Sequence, residues 1–221
     1  MKRSDSRAYF QCGCPMENQA MPERFDISVT LERSVSLAER QEIVFSLAKI
    51  CTPFFDAFHE VSVLDFKTGS EVRKEWADGE GLAGWRAGED ELLFVYGAKS
   101  TQFTGARGCM RIEEREWGAQ FSISLPLSAD ADSFRLESLL VDIKDYAAHQ
   151  SPMFIVAAGW ELDCDIDAGI DGMVKDALSD GSLCQWLATP APIVPDRPND
   201  WQETNESGGI TCLKRKSVRW A

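Results

Sequence analysis

The sequence predicts an α+β fold, a mainly antiparallel sheet with two main helices packed on one face. Three observations lead there. Phe25 to Glu32 alternates without a break, Phe25, Ile27, Val29 and Leu31 against Asp26, Ser28, Thr30 and Glu32, which is the signature of a half-buried strand. Cys109 to Glu113 and Gln120 to Leu127 form two arms of a hairpin joined through Glu114 to Gly118. Helical spacing over residues 37–51 and again from Asp132 or Ser133 to about His149 supplies the two helices between strands.

In chain order, residues 1–24 are polar and aperiodic and contain Gly13, Pro15 and Pro22, so they read as a flexible leader ahead of a single domain over 25–221. Cys12-Gly13-Cys14 lacks the second cysteine pair a four-ligand zinc site needs. After the first strand, Ser36 and Glu39 have capping-box spacing, each side chain able to pair with the other's backbone N–H. The helix they open would bury Leu37, Val44, Leu47, Ala48 and Cys51, and Pro53 would kink or restart it, with Thr52 as a new N-cap. Phe54, Phe55 and Phe58 read as a core anchor, and His59 beside them as structural.

Val61 to Phe66 is a strand, and an insertion loop near 67–91 follows, rich in glycine and charge, with Trp76 and Trp85 embedded among Asp78, Glu80, Glu89 and Asp90. Its glycines match neither a dinucleotide fingerprint nor a P-loop. Two readings fit the tryptophans equally, hot spots of a protein interface or side chains tucked back onto the core. Leu92 to Tyr96 is a further strand. In the hairpin's second arm Phe121, Ile123, Leu125 and Leu127 face inward, while the charged run at its tip reads as a solvated turn. The second helix would bury Leu136, Leu139, Leu140, Ile143 and Tyr146, with Asp130 and Asp132 suiting its dipole.

Met153 to Ala158 is an unbroken apolar run, a buried strand. It passes through Gly159-Trp160 into an acidic loop that carries Glu161, Asp163, Asp165, Asp167 and Asp171. Beyond it, Met173 to Leu178 makes a short helix, Cys184 to Leu187 a brief strand, and Thr189 to Asp200, with four prolines, an extended connector. Ile210 to Leu213 and Val218 to Trp220 close the chain as short strands, with Lys214, Arg215, Lys216 and Arg219 guarding an edge.

Composition narrows the function. A formal charge of −13 over 221 residues and a pI near 4.6 oppose nucleic acid as a partner and suit a basic one. No run reaches the roughly 18 apolar residues of a membrane helix. The seven scattered cysteines and a start without an apolar signal core fit the cytoplasm. His59 and His149 are the two histidines, with neither a paired metal motif nor a GxSxG serine, so the reading is non-enzymatic and without cofactor. Counted as a calcium loop, Asp163, Asp165, Asp167 and Asp171 take ligand positions. Ala168 stands where the sharp turn needs glycine and Val174 where a bidentate glutamate should close the cage, so no metal is assigned.

The acidic α+β chain with several tryptophans and the Ala157 to Trp160 segment, AAGW, resembles the immunity protein 52 family of bacterial polymorphic toxin systems, over about residues 25–220. That family is marked by a tryptophan and a GW pair. Gly159-Trp160 matches the pair, and either Trp186 or Trp201 matches the other tryptophan. The resemblance implies an immunity protein that neutralises a cognate toxin, a restriction-endonuclease-fold nuclease of the kind found among type VI secretion effectors. Residues Glu161, Asp163, Asp165, Asp167 and Asp171, with Trp76, Asp78, Glu80, Trp85, Glu89 and Asp90, would face that toxin, and Gly159 and Trp160 would be structural. The competing reading is a regulatory or scaffold module for another basic protein, or one responding to calcium through 163–171.

Overall fold

In the computed structural model of the chain, the described residues are 24–52, 55, 58–65, 67–75, 91–97, 108–126, 133–160, 162–179, 182–190, 198–204 and 209–216. The alternation from Phe25 becomes β1 (Arg24–Leu31), whose four apolar side chains are fully buried. It pairs in antiparallel register with β6 (Ala119–Pro126) on one side and β7 (Phe154–Trp160) on the other. The hairpin forms as its pattern predicts, β5 (Cys109–Glu114) against β6 around an Arg115–Gly118 turn. Outward from β5 lie β4 (Glu91–Gly97), β2 (Phe58–Asp65) and the edge strand β3 (Glu71–Glu75). Outward from β7 lie β8 (Cys184–Pro190), β10 (Ile210–Arg215) and β9 (Trp201–Glu203). Among the described residues these make one sheet of ten strands, every neighbouring pair antiparallel.

Two clusters of buried side chains lie on the two faces of β7. Phe154, Val156 and Ala158 join one with Phe25, Ile27, Val29 and Leu31 and with the buried residues of α1 (Leu37–Ile50) and α2 (Ser133–Gln150). Ile155 and Ala157 join the other with Ile170, Met173, Val174, Ala177 and Leu178 of α3 (Gly169–Leu178). A strand covered on both faces reads as an unbroken apolar run, which is why Met153 to Ala158 does not alternate.

α1 opens on the capping box, Glu39 N–H donating to Ser36 Oγ at 3.3 Å and Ser36 N–H to Glu39 Oε2 at 2.9 Å. It ends at Ile50 with Cys51 as its C-cap, the Thr52 hydroxyl donates back to the Lys49 carbonyl, and the Phe55 N–H donates to the Cys51 carbonyl at 3.0 Å. Pro53 and Phe54 lie outside the described residues. Leu37 and Tyr146 are only half-buried; Ile43, Ala147 and the guanidinium of Arg40 occupy the interior instead. Phe58 belongs to β2, and its ring packs on Phe45 at 5.3 Å.

Three further strand assignments differ from expectation. β3 lies inside the segment read as an insertion loop, because all five of its residues are exposed and leave no burial pattern to read. β8 runs on to Pro190, with Thr189 buried and donating its hydroxyl to Phe154 O at 3.0 Å, so the prolines do not begin a connector at Thr189. β9 places Trp201 in the interior, 1% exposed, within a segment too short to show periodicity. The leader with Cys12 and Cys14, and Val218 to Trp220, lie outside the described residues.

Candidate functional site

Gly159 and Trp160 set the end of β7. A Cβ on Gly159 would stand 2.2 Å from the carbonyl oxygen of Leu183, so β8 passes too close for any side chain there. The β7–β8 register slips at this point, a bulge that bends the chain out of the sheet. Trp160, half-buried, presents its ring edge-on to Phe25 at 5.4 Å and closes the strand on the α1 and α2 side. Trp186 and Trp201, the two candidates for the family's second tryptophan, are both core residues, in the clusters on opposite faces.

The chain then folds over the other face as an alternating segment. Leu162 and Cys164 pack against the α3 cluster and Ile166 is buried, while Asp163, Asp165 and Asp167 point outward. A 3-10 turn at Ile166–Ala168 leads into α3, earlier than Met173, and the Asp165 carboxylate caps that turn by accepting from the Asp167 N–H at 2.9 Å. Asp171 is exposed in the first turn of α3, where its charge suits the helix dipole.

Two arginines of the hairpin, Arg111 within β5 and Arg115 at the turn, hold this loop. Arg111 Nη2 meets Asp163 Oδ1 at 3.0 Å, and Arg115 Nε meets Asp167 Oδ1 at 2.6 Å. Glu113 lies between them, 3.0 Å from Arg111 and 3.9 Å from Arg115. Burial pushes the Glu113 carboxyl above the usual carboxylate range, opposed by the two guanidiniums. Nearby, the Asp26 carboxyl is pushed up by burial against a 2.5 Å hydrogen bond donated by Ser124 Oγ. The Asp167 carboxyl is instead held down by Arg115. The outward carboxylates stay accessible, 82% exposed at the Asp163 side chain and 65% at Asp167.

The five carboxylates of the acidic stretch are therefore not equivalent. Asp163, Asp165 and Asp167 are fixed in place, Asp171 rides on α3, and Glu161 lies outside the described residues, as do Trp76, Asp78, Glu80, Trp85, Glu89 and Asp90. Arg115 escapes a reading of the sequence that takes the hairpin tip as a solvated turn, and Arg111, within β5, has no local pattern that announces its partner. The apolar half of the alternation, Leu162, Cys164 and Ile166, was visible and shows that the loop lies on a surface. Among the described residues no group of three or more His, Cys, Asp or Glu is disposed to hold a metal, and two of the four calcium-position aspartates already have guanidinium partners. Burial pushes the thiols of Cys51, Cys164 and Cys184 up to about 12, so none is a thiolate nucleophile at neutral pH. No helix among the described residues is long and apolar enough to cross a membrane.

No family model matches the chain, and no curated protein matches it. Among solved structures, the chain matches one chain of the complex between the toxic C-terminal tip of CdiA from Pseudomonas aeruginosa and its immune protein. Identity is 12% and the TM-score 0.36, with 62% of this chain and 87% of the other covered.

Proposed function

We propose that the protein is an immunity protein that binds and neutralises a cognate nuclease-type toxin through its acidic surface. The observation that supports this reading is the outward row Asp163, Asp165, Asp167, held at fixed positions by hairpin arginines and an Asx-capped turn in a chain of net charge −13. A nuclease presents a basic, phosphate-binding cleft, and an ordered acidic row complements it without paying the entropy of arranging loose side chains. Long-range attraction between the two surfaces would speed encounter, and the fixed pattern would select orientation. The resemblance of Ala157 to Trp160 to the immunity protein 52 family points to the same partner class, a restriction-endonuclease-fold toxin of a type VI effector, met in the cytoplasm. Glu161 and the segment with Trp76, Asp78, Glu80, Trp85, Glu89 and Asp90 would extend the contact. In this role the protein performs no catalysis and needs no cofactor.

The test is protection. A nuclease-toxin gene should lie beside this one, cells expressing its nuclease domain should survive when this protein is co-expressed, and an equimolar mixture should lose nuclease activity in vitro. Undiminished killing and cleavage would overturn the reading in favour of a scaffold or regulatory module for a different basic protein.

A further inference from the structure

The two ion pairs, one along β5 and one at the hairpin turn, share a geometry that isolated surface pairs lack. Arg111 and Arg115 are four residues apart, as are Asp163 and Asp167, and each arginine meets the aspartate 52 positions further along the chain. Equal offsets mean that 111–115 and 162–168 run side by side, joined by two rungs. The rungs are coupled through Glu113, whose side chain is only 13% exposed and touches both guanidiniums. Arg111 Nη2 and Arg115 Nε donate directly to the carboxylates, and Arg115 Nη1 also donates to the Glu114 carbonyl at 3.1 Å, so its fork is fixed at both ends. A lone exposed pair would contribute little. Two rungs anchored on a half-buried carboxylate, over a segment whose alternate residues Leu162, Cys164 and Ile166 are partly or fully buried, form a template.

We propose that Arg111 and Arg115 are positioning residues of the acidic surface: they set the spacing and aim of Asp163 and Asp167 before a basic protein partner arrives. The proposal rests on the reading of this surface as the binding face for a basic toxin, and it names residues of the sign opposite to the one that face presents. Their effect on binding therefore has a sign that charge alone would not give. Removing both makes a chain of net charge −13 two charges more negative, which strengthens attraction for a basic partner at long range. Removing them also frees the carboxylates the partner reads, so the complex should form at least as fast and hold less well.

The experiment compares the wild-type chain with Arg111→Gln/Arg115→Gln and with the charge exchange Arg115→Asp/Asp167→Arg, folding being verified by near-ultraviolet circular dichroism. Amide hydrogen exchange over residues 163–168 should quicken by about tenfold or more in the double glutamine variant and return toward wild type in the exchanged pair. Unchanged protection in the glutamine variant, or no recovery in a folded exchanged pair, overturns the positioning role. With the nuclease domain that the wild-type chain inhibits as probe, the glutamine variant should associate no more slowly and dissociate about tenfold faster or more. Dissociation equal to wild type overturns the link to recognition. The exchange measurement needs no toxin, so a wild-type chain that fails to inhibit nuclease sinks the proposed function, while unchanged protection sinks the template.

Discussion

Replacing Gly159 by alanine places a methyl group 2.2 Å from the Leu183 carbonyl oxygen, 3.1 Å from its carbonyl carbon and 3.3 Å from Cys184 Cα, all backbone atoms where the chain enters β8. Close carbon–oxygen approaches in sheets stop at about 3.3 Å, so β8 must retreat by about 1 Å or the bulge must re-form. Neither is cheap, because Cys184 and Leu187 of β8 are fully buried against α3 and Ala158 and Trp186 pack on the opposite face. The expected loss is about 3 kcal/mol, the upper end of overpacking costs, which for a chain of this size lowers the thermal midpoint by about 6–12 °C. Thermal unfolding followed by circular dichroism measures it. Gly69→Ala is the control: its φ of +67° strains any side chain, but nothing lies within 4 Å, so its cost should stay near 1 kcal/mol. If Gly159→Ala unfolds at or above the midpoint of Gly69→Ala, the assignment of Gly159 to a forced backbone approach is wrong.

Three other outcomes follow from the same structure. Arg40 is 1% exposed and paired to Glu114 at 3.1 Å, so Arg40→Ala, which leaves a cavity and a stranded carboxylate, should cost about 3 kcal/mol by urea unfolding, and Arg40→Met/Glu114→Gln, which refills the volume and removes the charge, should recover most of it. Ser36→Ala should cost about 1 kcal/mol by removing the Glu39 N–H acceptor. Glu39 itself is held down to about 2 by its bonds to Ser36 and Arg33, from an ordinary 4.5. Its contribution is therefore complete above 4.5 and is lost as pH falls toward 2, which carboxyl NMR of Glu39 would follow. The same titration should place Asp26 and Glu113 above their ordinary values and Asp167 below. The first two favour the fold when protonated and lose that contribution as pH rises through their folded values, whereas Asp167 loses its contribution as pH falls. An Asp167 titrating at or above 3.8 would contradict its pairing with Arg115.

Much of the sheet could be read from residues because burial on one face writes a period of two. β1, β5 and β6 show it plainly, and the capping box placed the start of α1 to the residue. β3 could not be read, since an edge strand exposed on all its residues has no apolar face, nor could β9, where Trp201 is buried in a strand of three residues. The acidic stretch was legible as charge but not as geometry. Counting calcium positions drew attention to the aspartates, while the intervening Leu162, Cys164 and Ile166 held the information that the segment lies flat on the sheet. Arg111 and Arg115 are 52 residues away from their partners, and no local pattern announces a contact at that distance. Gly159 was visible as half of a dipeptide, but its reason is an approach by Leu183 that only the fold supplies.

The central claim, that the acidic row carries recognition of a basic toxin, is tested most directly by the association rate constant with the nuclease domain that the chain inhibits, measured across ionic strength. The wild-type chain should associate faster as salt falls, and Asp163→Asn/Asp165→Asn/Asp167→Asn/Asp171→Asn should slow association by about tenfold at low salt and flatten that dependence. Equal rates and equal salt dependence for the two chains would contradict the account.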